Sequence, residues 1–259
     1  MSASAADAQT IAHPKSFLMA SSAAHMTPQE RTSSFSLASI FALRMFGLFI
    51  ILPVFAVYAR ELPGGDSETL VGTTLGIYGL TQGLLQIPFG VASDRLGRKP
   101  VIIFGLIIFA LGSFLAASGA NIWIVMLGRM LQGAGAISAA VTAFIADSVR
   151  VQVLTKAMAM VGASIGLTFA LSLLISPPLT KLWGVSGLFT LTGISALIAV
   201  LVVKFVVPPA PQSAIDEKNE HRSWRKVVCD PQLVRLNIGI FVLHAVLTAI
   251  FVVIPTRLV

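Results

Sequence analysis

Seven apolar runs divide this chain, at about residues 35–59, 70–92, 101–118, 122–146, 157–180, 184–207 and 233–256. Each is long enough to cross a hydrocarbon core about 30 Å thick as a helix rising about 1.5 Å per residue. The pattern predicts an all-α, polytopic membrane protein with a tail over 1–34, a six-helix bundle over 35–207, a polar proline-bearing linker over 208–232 and one further helix in 233–259. The tail, rich in Ala and Ser, reads as disordered. It has no apolar run beyond Phe17–Ala20, so no cleavable signal is expected. Met26, followed by Thr-Pro-Gln-Glu, offers a second start besides Met1.

Composition agrees with the pattern: 56% of residues are hydrophobic and 11% charged, with a mean hydropathy of +0.87. A pI near 10.1 raises the question of nucleic acid, and the placement of the cations answers it. Thirteen of the eighteen fall on the side of the membrane that holds the N-terminus, three (Arg60, Lys181 and Arg257) fall on the other, and Arg44 and Arg129 lie inside spans. This asymmetry places the N-terminus in the cytoplasm and makes the basic pI a record of topology, with no nucleic-acid partner. Cys229 is the single cysteine, so no intrachain disulfide forms.

The most charged junction is Gly90-Val-Ala-Ser-Asp94-Arg95-Leu-Gly97-Arg98-Lys99-Pro100, between the second and third runs. Asp94 stands at a helix C-terminus, where the dipole is already negative, so it needs a cation; Arg98, four residues on, is placed to supply one. Asp147 repeats the situation at the end of the fourth run, either bridged by Arg98, with Arg150 near enough to contribute, or simply solvated. Inside the spans, polar side chains are the informative ones. Arg44 either snorkels to the inner headgroups or faces a central cavity; Gln82 and Gln86, one turn apart, either line that cavity or bond to a neighbouring helix. Arg129, with Gln132 one turn on, faces the cavity or bonds to nearby backbone and amide oxygens. Gly72, Gly76, Gly79 and Gly83 form a smooth stripe for helix packing, joined in that role by Gly90, Gly97 and Gly133.

The junction resembles the loop between helices 2 and 3 of the major facilitator superfamily, G-x-L-a-D-R-x-G-R-K, with Ala92 in place of its Leu. The run Arg129-Met-Leu-Gln132-Gly133-Ala-Gly135 is similar to that family's helix 4 motif, and the run of helices 1–6 looks most like the YajR-type transporters of Gram-negative inner membranes. The resemblance implies the N-terminal half of the family fold, built as two three-helix inverted repeats, plus helix 7. It also implies a conformational charge network of Asp94, Arg95, Arg98, Lys99 and Asp147, and an Arg129 associated with proton coupling. Helix 5 is expected to end at Pro177-Pro178, and its Gly166-Leu-Thr-Phe-Ala departs from the Gly-Pro signature of the family's drug/proton antiporters.

The function implied is secondary active transport of a small solute by alternating access, coupled to protons and with efflux favoured over uptake, in the inner membrane. The partners are then the lipid bilayer, the solute, the proton, and a missing C-terminal half or a second copy, since the chain reads as incomplete. None of the eleven acids lies inside a span, which leaves His244 as the one titratable candidate among the central-cavity residues Arg44, Gln82, Gln86, Arg129, Gln132 and His244. An enzyme is disfavoured, because the four histidines at 13, 25, 221 and 244 are scattered and no metal-ligand spacing, cofactor motif or nucleophile elbow is present. A non-transporting membrane receptor or assembly subunit is the alternative, and it has no evident need for the junction charges.

Overall fold

The computed structural model describes residues 25–208 and scattered helical positions between 231 and 250. The tail before residue 25, most of the 208–232 linker with Cys229, and His244 lie outside the described residues. Between residues 28 and 205 seven helices follow one another: α1 (Pro28–Phe49), α2 (Leu52–Glu61), α3 (Glu68–Leu96), α4 (Arg98–Ser118), α5 (Ile122–Ala134), α6 (Ser138–Ser148) and α7 (Val151–Phe205). No strand occurs among the described residues. Among the described residues, four helical stretches, 28–61, 98–118, 122–148 and 151–205, are long and apolar enough to cross a membrane. The 29 residues of α3 carry the glycines, threonines and glutamines of the second span, which dilute its hydropathy.

Local chemistry sets the boundaries. Thr27 and Glu30 form a reciprocal capping box at the start of α1, with Pro28 in the first turn. Pro53 lacks an N–H and interrupts the first span between α1 and α2, and the Ser176 hydroxyl donates to the freed Ile50 carbonyl. Ser67 and Asn121 cap α3 and α5 by accepting from Leu70 N–H and Ile124 N–H. Gly97, at φ 93°, makes the turn from α3 to α4, a conformation open to glycine at little cost.

The fifth span does not end at the proline pair. Helix α7 runs through Pro177 and Pro178 to Gly184, whose φ of 66° makes the reversal. Two prolines remove two N–H donors without forcing a turn, and the Thr180 hydroxyl bonds to the Ser176 carbonyl beside them at 2.8 Å. The 55 residues of α7 therefore hold both the fifth and the sixth span. Val153 and Ala157 pack in the same apolar cluster as Ala199 and Val203, while Leu179 packs with Val185 and Leu188 in another, so the two arms are antiparallel.

Two apolar clusters mark the ends of the bundle. One joins Leu37, Ile102, Phe144, Val153 and Val203; the other joins Phe55, Val71, Ile122 and Leu188. A small cluster around Tyr78 and Phe109 lies between them. Alternation of the six spans between those ends is an up-and-down helical bundle. Spans 3 and 4 touch backbone to backbone: a Cβ on Gly112 would lie 2.6 Å from both Gln132 N and Gly128 O, and one on Gly128 would lie 2.7 Å from Ala116 N. Lipid is as apolar as leucine, so such close packing is what holds helices together in a membrane.

Gly128→Val should accordingly lower the thermal midpoint of the purified protein in detergent by several degrees, an overpacking cost of about 1–3 kcal/mol. Gly79→Ala, where no atom stands within 4 Å, should leave it unchanged or slightly higher. Equal midpoints for wild type and Gly128→Val would remove this contact as a source of stability.

Candidate functional site

Two polar centres stand out, one at the end of the bundle and one at mid-depth. At the end, α3 and α6 terminate side by side, each with a carboxylate in its last turn, and α4 begins with Arg98 between them. Arg98 Nε donates to Asp147 Oδ2 at 2.8 Å, and Nη1 donates to Ser93 Oγ at 2.7 Å and to Asp94 Oδ1. The guanidinium is largely sheltered, Asp147 partly so, and Asp94 is 63% exposed. Two negative helix ends thus share one cation. Lys99 Nζ donates to the Val207 carbonyl just past the end of α7, and Arg95 is exposed and takes no part in these contacts.

Arg150 is not in this network. Its guanidinium is fixed on Glu30 instead, with Nε 2.8 Å from Oε1 and Nη2 3.1 Å from Oε2, and Nη2 also donates to the His25 carbonyl at 2.8 Å. The Glu30 carboxylate holds Arg150 above the ordinary arginine range. Glu30 and Ser93 were not legible as members of this end. Glu30 falls in the stretch 1–34 that reads as a tail in sequence, and its partner lies 120 residues away.

At mid-depth, Arg44 and Arg129 are each 1% exposed. Arg44 Nη1 donates to Ser138 Oγ at 3.2 Å, and Nη2 donates to Gln82 Oε1 at 3.3 Å and to the Gly135 carbonyl at 3.4 Å. Arg129 Nη1 donates to Gln132 Oε1 at 2.9 Å, Gln132 Nε2 to Ser113 Oγ at 2.8 Å, and Ser113 Oγ to the Phe109 carbonyl at 2.8 Å. The Tyr78 ring joins the two halves: its centroid is 4.8 Å from the Arg129 guanidinium carbon and 6.0 Å from that of Arg44. Gln86 is half-buried one turn beyond Gln82, with its Oε1 unpartnered. The structure therefore gathers Arg44, Gln82, Arg129 and Gln132 into one buried cluster, with Arg129 bonded to an amide and Arg44 to three neutral acceptors. Tyr78 was missed, although the spacing 78, 82, 86 puts it on the same helix face as the two glutamines.

The cluster sits where the fourth span breaks. Gly135, Ala136 and Ile137 are non-helical between α5 and α6, and Ile137 N–H folds back onto the Gly135 carbonyl at 2.9 Å. Gly135 lies against Gly105 and Phe109 of α4, too close for a side chain. Among the glycines expected to pack, Gly133 abuts Tyr78 and Thr81, Gly90 meets Ala139 at ordinary distance, and Gly97 makes the turn described above. Gly76 and Gly83 have nothing within 4 Å. No cluster of metal-ligating side chains occurs among the described residues.

Comparison with known proteins decides the family. The sequence model of the Major Facilitator Superfamily matches residues 37–259. The chain belongs to the major facilitator superfamily. It is 45% identical to the inner membrane transport protein YajR of Escherichia coli (strain K12) over 235 residues, which cover 90% of this chain and 52% of that protein. A shorter match, 35% identical over 127 residues, is to the tetracycline resistance protein, class B, of Escherichia coli, and covers 48% of this chain and 32% of that one. The crystal structure of the POT family transporter PepTSo superposes with a TM-score of 0.59 at 17% identity, covering 88% of this chain and 52% of that one. That likeness is one of fold. The chain spans about half the length of the curated relatives it matches most fully.

The Arg98 geometry has an energetic consequence for this superfamily member. A double-mutant cycle on Arg98→Ala and Asp147→Asn should give a coupling energy of about 1–3 kcal/mol in chemical unfolding, because a charge-assisted bond would leave a sheltered partner unpaired. The cycle with Asp94→Asn should give well under 1 kcal/mol, since that carboxylate faces solvent. Arg95→Ala should change nothing; coupling of equal size at all three positions would contradict the arrangement.

Proposed function

We propose that this chain is the N-terminal six-helix half, with helix 7, of a secondary transporter that moves a small solute across the inner membrane by alternating access. Coupling to protons and outward movement are part of the proposal. The observation that carries it is the Arg98 bridge between the ends of α3 and α6. It is a breakable charge contact at one end of a bundle whose other end lacks a counterpart among the described residues, where Arg60 pairs only with the exposed Glu68 nearby. A receptor or assembly subunit has no use for a bond poised to open as helices rock. Relatives described as an inner membrane transport protein and a tetracycline resistance protein support the same reading.

The open face of α3 supports it further. Gly72, Gly76, Gly79 and Gly83 have no neighbour within 4 Å, and neither do Gly162 and Gly166 of α7. A second helical bundle, from a longer chain or from a second copy, gives that surface something to pack against, with the solute site between the two.

Orientation is tested by fusions. A reporter active only in the periplasm should work after Gly64 and fail after Ser213, as the cation distribution requires; the reverse outcome would invert the proposed direction of every span.

Transport is tested in inverted membrane vesicles from cells expressing the protein, loaded with an acid-sensitive dye and given anionic, neutral and cationic solutes, tetracycline among them. One class of solute should drive proton movement, and Arg129→Ala should abolish it while the protein remains in the membrane at normal level. Arg129→Lys should keep a fraction of it. Full transport by the alanine variant would show the arginine to be structural, and no response to any solute would favour the receptor reading.

A further inference from the structure

Three sources of positive potential lie close together around Tyr78 and the break in the fourth span, and no acid among the described residues answers them. Arg44 and Arg129 are fully buried guanidinium ions that keep their charge. Helix α6 begins there as well, with Ser138 against Arg44, and it has no side-chain cap, so its first N–H groups and its dipole point positive charge at the same place. Every one of the eleven acids lies in a tail, a loop or a helix end. Arg44 makes its bonds to neutral oxygens at 3.2–3.4 Å, long for a guanidinium donor. Three donors have no partner at all: Arg44 Nε–H, Arg129 Nε–H and the Tyr78 hydroxyl.

Tyrosine and phenylalanine faces relieve part of this charge, with Arg44 5.6 Å from the Phe109 ring centroid as well as near Tyr78. They leave the hydrogen-bonding directions unused. Planar guanidinium forks and backbone N–H groups at a helix start are the donors that match a carboxylate or a phosphate. Gln82, bonded to Arg44 and half-buried, lies on α3, the helix that carries the open glycines.

We propose that the break at Gly135–Ile137 is a binding site for the oxyanion group of a small solute, held by Arg44, Arg129, the Tyr78 hydroxyl and the N-terminus of α6. The inference deepens the transporter reading by giving the solute its chemical class, and it rests on that reading for the passage of the solute, though not for its binding. Release of long bonds from Arg44 to Gln82 and Ser138 accompanies entry of the anion.

The test is thermal unfolding of the purified 259-residue protein in phospholipid nanodiscs at constant ionic strength, with choline chloride replaced stepwise by choline acetate or choline phosphate. Either oxyanion should raise the midpoint by about 3 °C or more in the wild type, and the shift should vanish in Arg44→Gln and in Arg129→Gln. Should those variants fail to fold, Arg44→Lys and Tyr78→Phe keep the charge and the shape, and each should weaken the apparent affinity about tenfold. The proposal is overturned by an absent shift in the wild type, by an unchanged shift in the variants, by a preference for chloride over both oxyanions, or by a shift seen only with tetraphenylphosphonium. Oxyanion binding with no solute-driven proton movement in vesicles would uphold this site and remove the transporter reading. Cation-driven movement without oxyanion binding would uphold transport and overturn the site.

Discussion

A polar group inside a bilayer has to find its partner within the protein, and the middle of this bundle is built around that requirement. Breaking the fourth span frees backbone groups at Gly135–Ile137, and Arg44 reaches from the first span to take the Gly135 carbonyl. The other arginine is served by a relay through Gln132 and Ser113 to the Phe109 carbonyl. That relay exists because Gly112 and Gly128 let α4 and α5 approach at backbone distance and so bring Ser113 beside Gln132. Small residues at the helix contact and polar residues at mid-depth are thus one device: the first sets the spacing that the second needs.

The end of the bundle follows a different logic, because water is at hand. Asp94 is mostly exposed, and its pairing with Arg98 is of the kind that contributes little to stability on its own. Its value lies in what it connects. Through Arg98 the second, third and fourth spans are joined; through Arg150 and Glu30 the first span is fixed to the junction of the fourth and fifth; through Lys99 the third reaches the end of the sixth. Bonds of this type are strong enough to order a surface and weak enough to be exchanged for water when helices shift.

The sequence carries the spans and the junction motif plainly, since both are local signals: hydropathy over about twenty residues, and charges with glycines at fixed spacing. The helices between 28 and 205 overlap the first six apolar runs, although α1 begins at Pro28, inside the stretch 1–34 that reads as a disordered tail. Interruptions were harder to read. Pro177-Pro178 looks like a stop and is not one, whereas Gly133-Ala-Gly135-Ala136 looks like a packing motif and contains a break. A proline's effect depends on whether neighbours replace the lost bonds, and a glycine's on what presses against it, and neither is written in the local sequence. The sequence offers a common cavity for Arg44, Gln82, Arg129 and Gln132 but not the ring that links them: Arg44 and Arg129 are 85 positions apart, and Tyr78 of α3, lying near both, was missed.

Glycine in a helix interior costs about 1 kcal/mol relative to alanine, from backbone entropy and lost contact area. At Gly112, Gly128 and Gly133 that cost is recovered, because a neighbouring backbone lies where a Cβ would be. At Gly72, Gly76, Gly79 and Gly83 nothing occupies that space, and the same is true at Gly162 and Gly166 on the other arm. Six of the ten glycines of α3 and α7 thus weaken these helices with no return inside the six-span bundle. A surface that approaches both helices as closely as α4 approaches α5 removes the discrepancy. That is the part the proposed second bundle plays, and its contact would cover Gln82 and Gln86 and close the half-buried side of the arginine cluster.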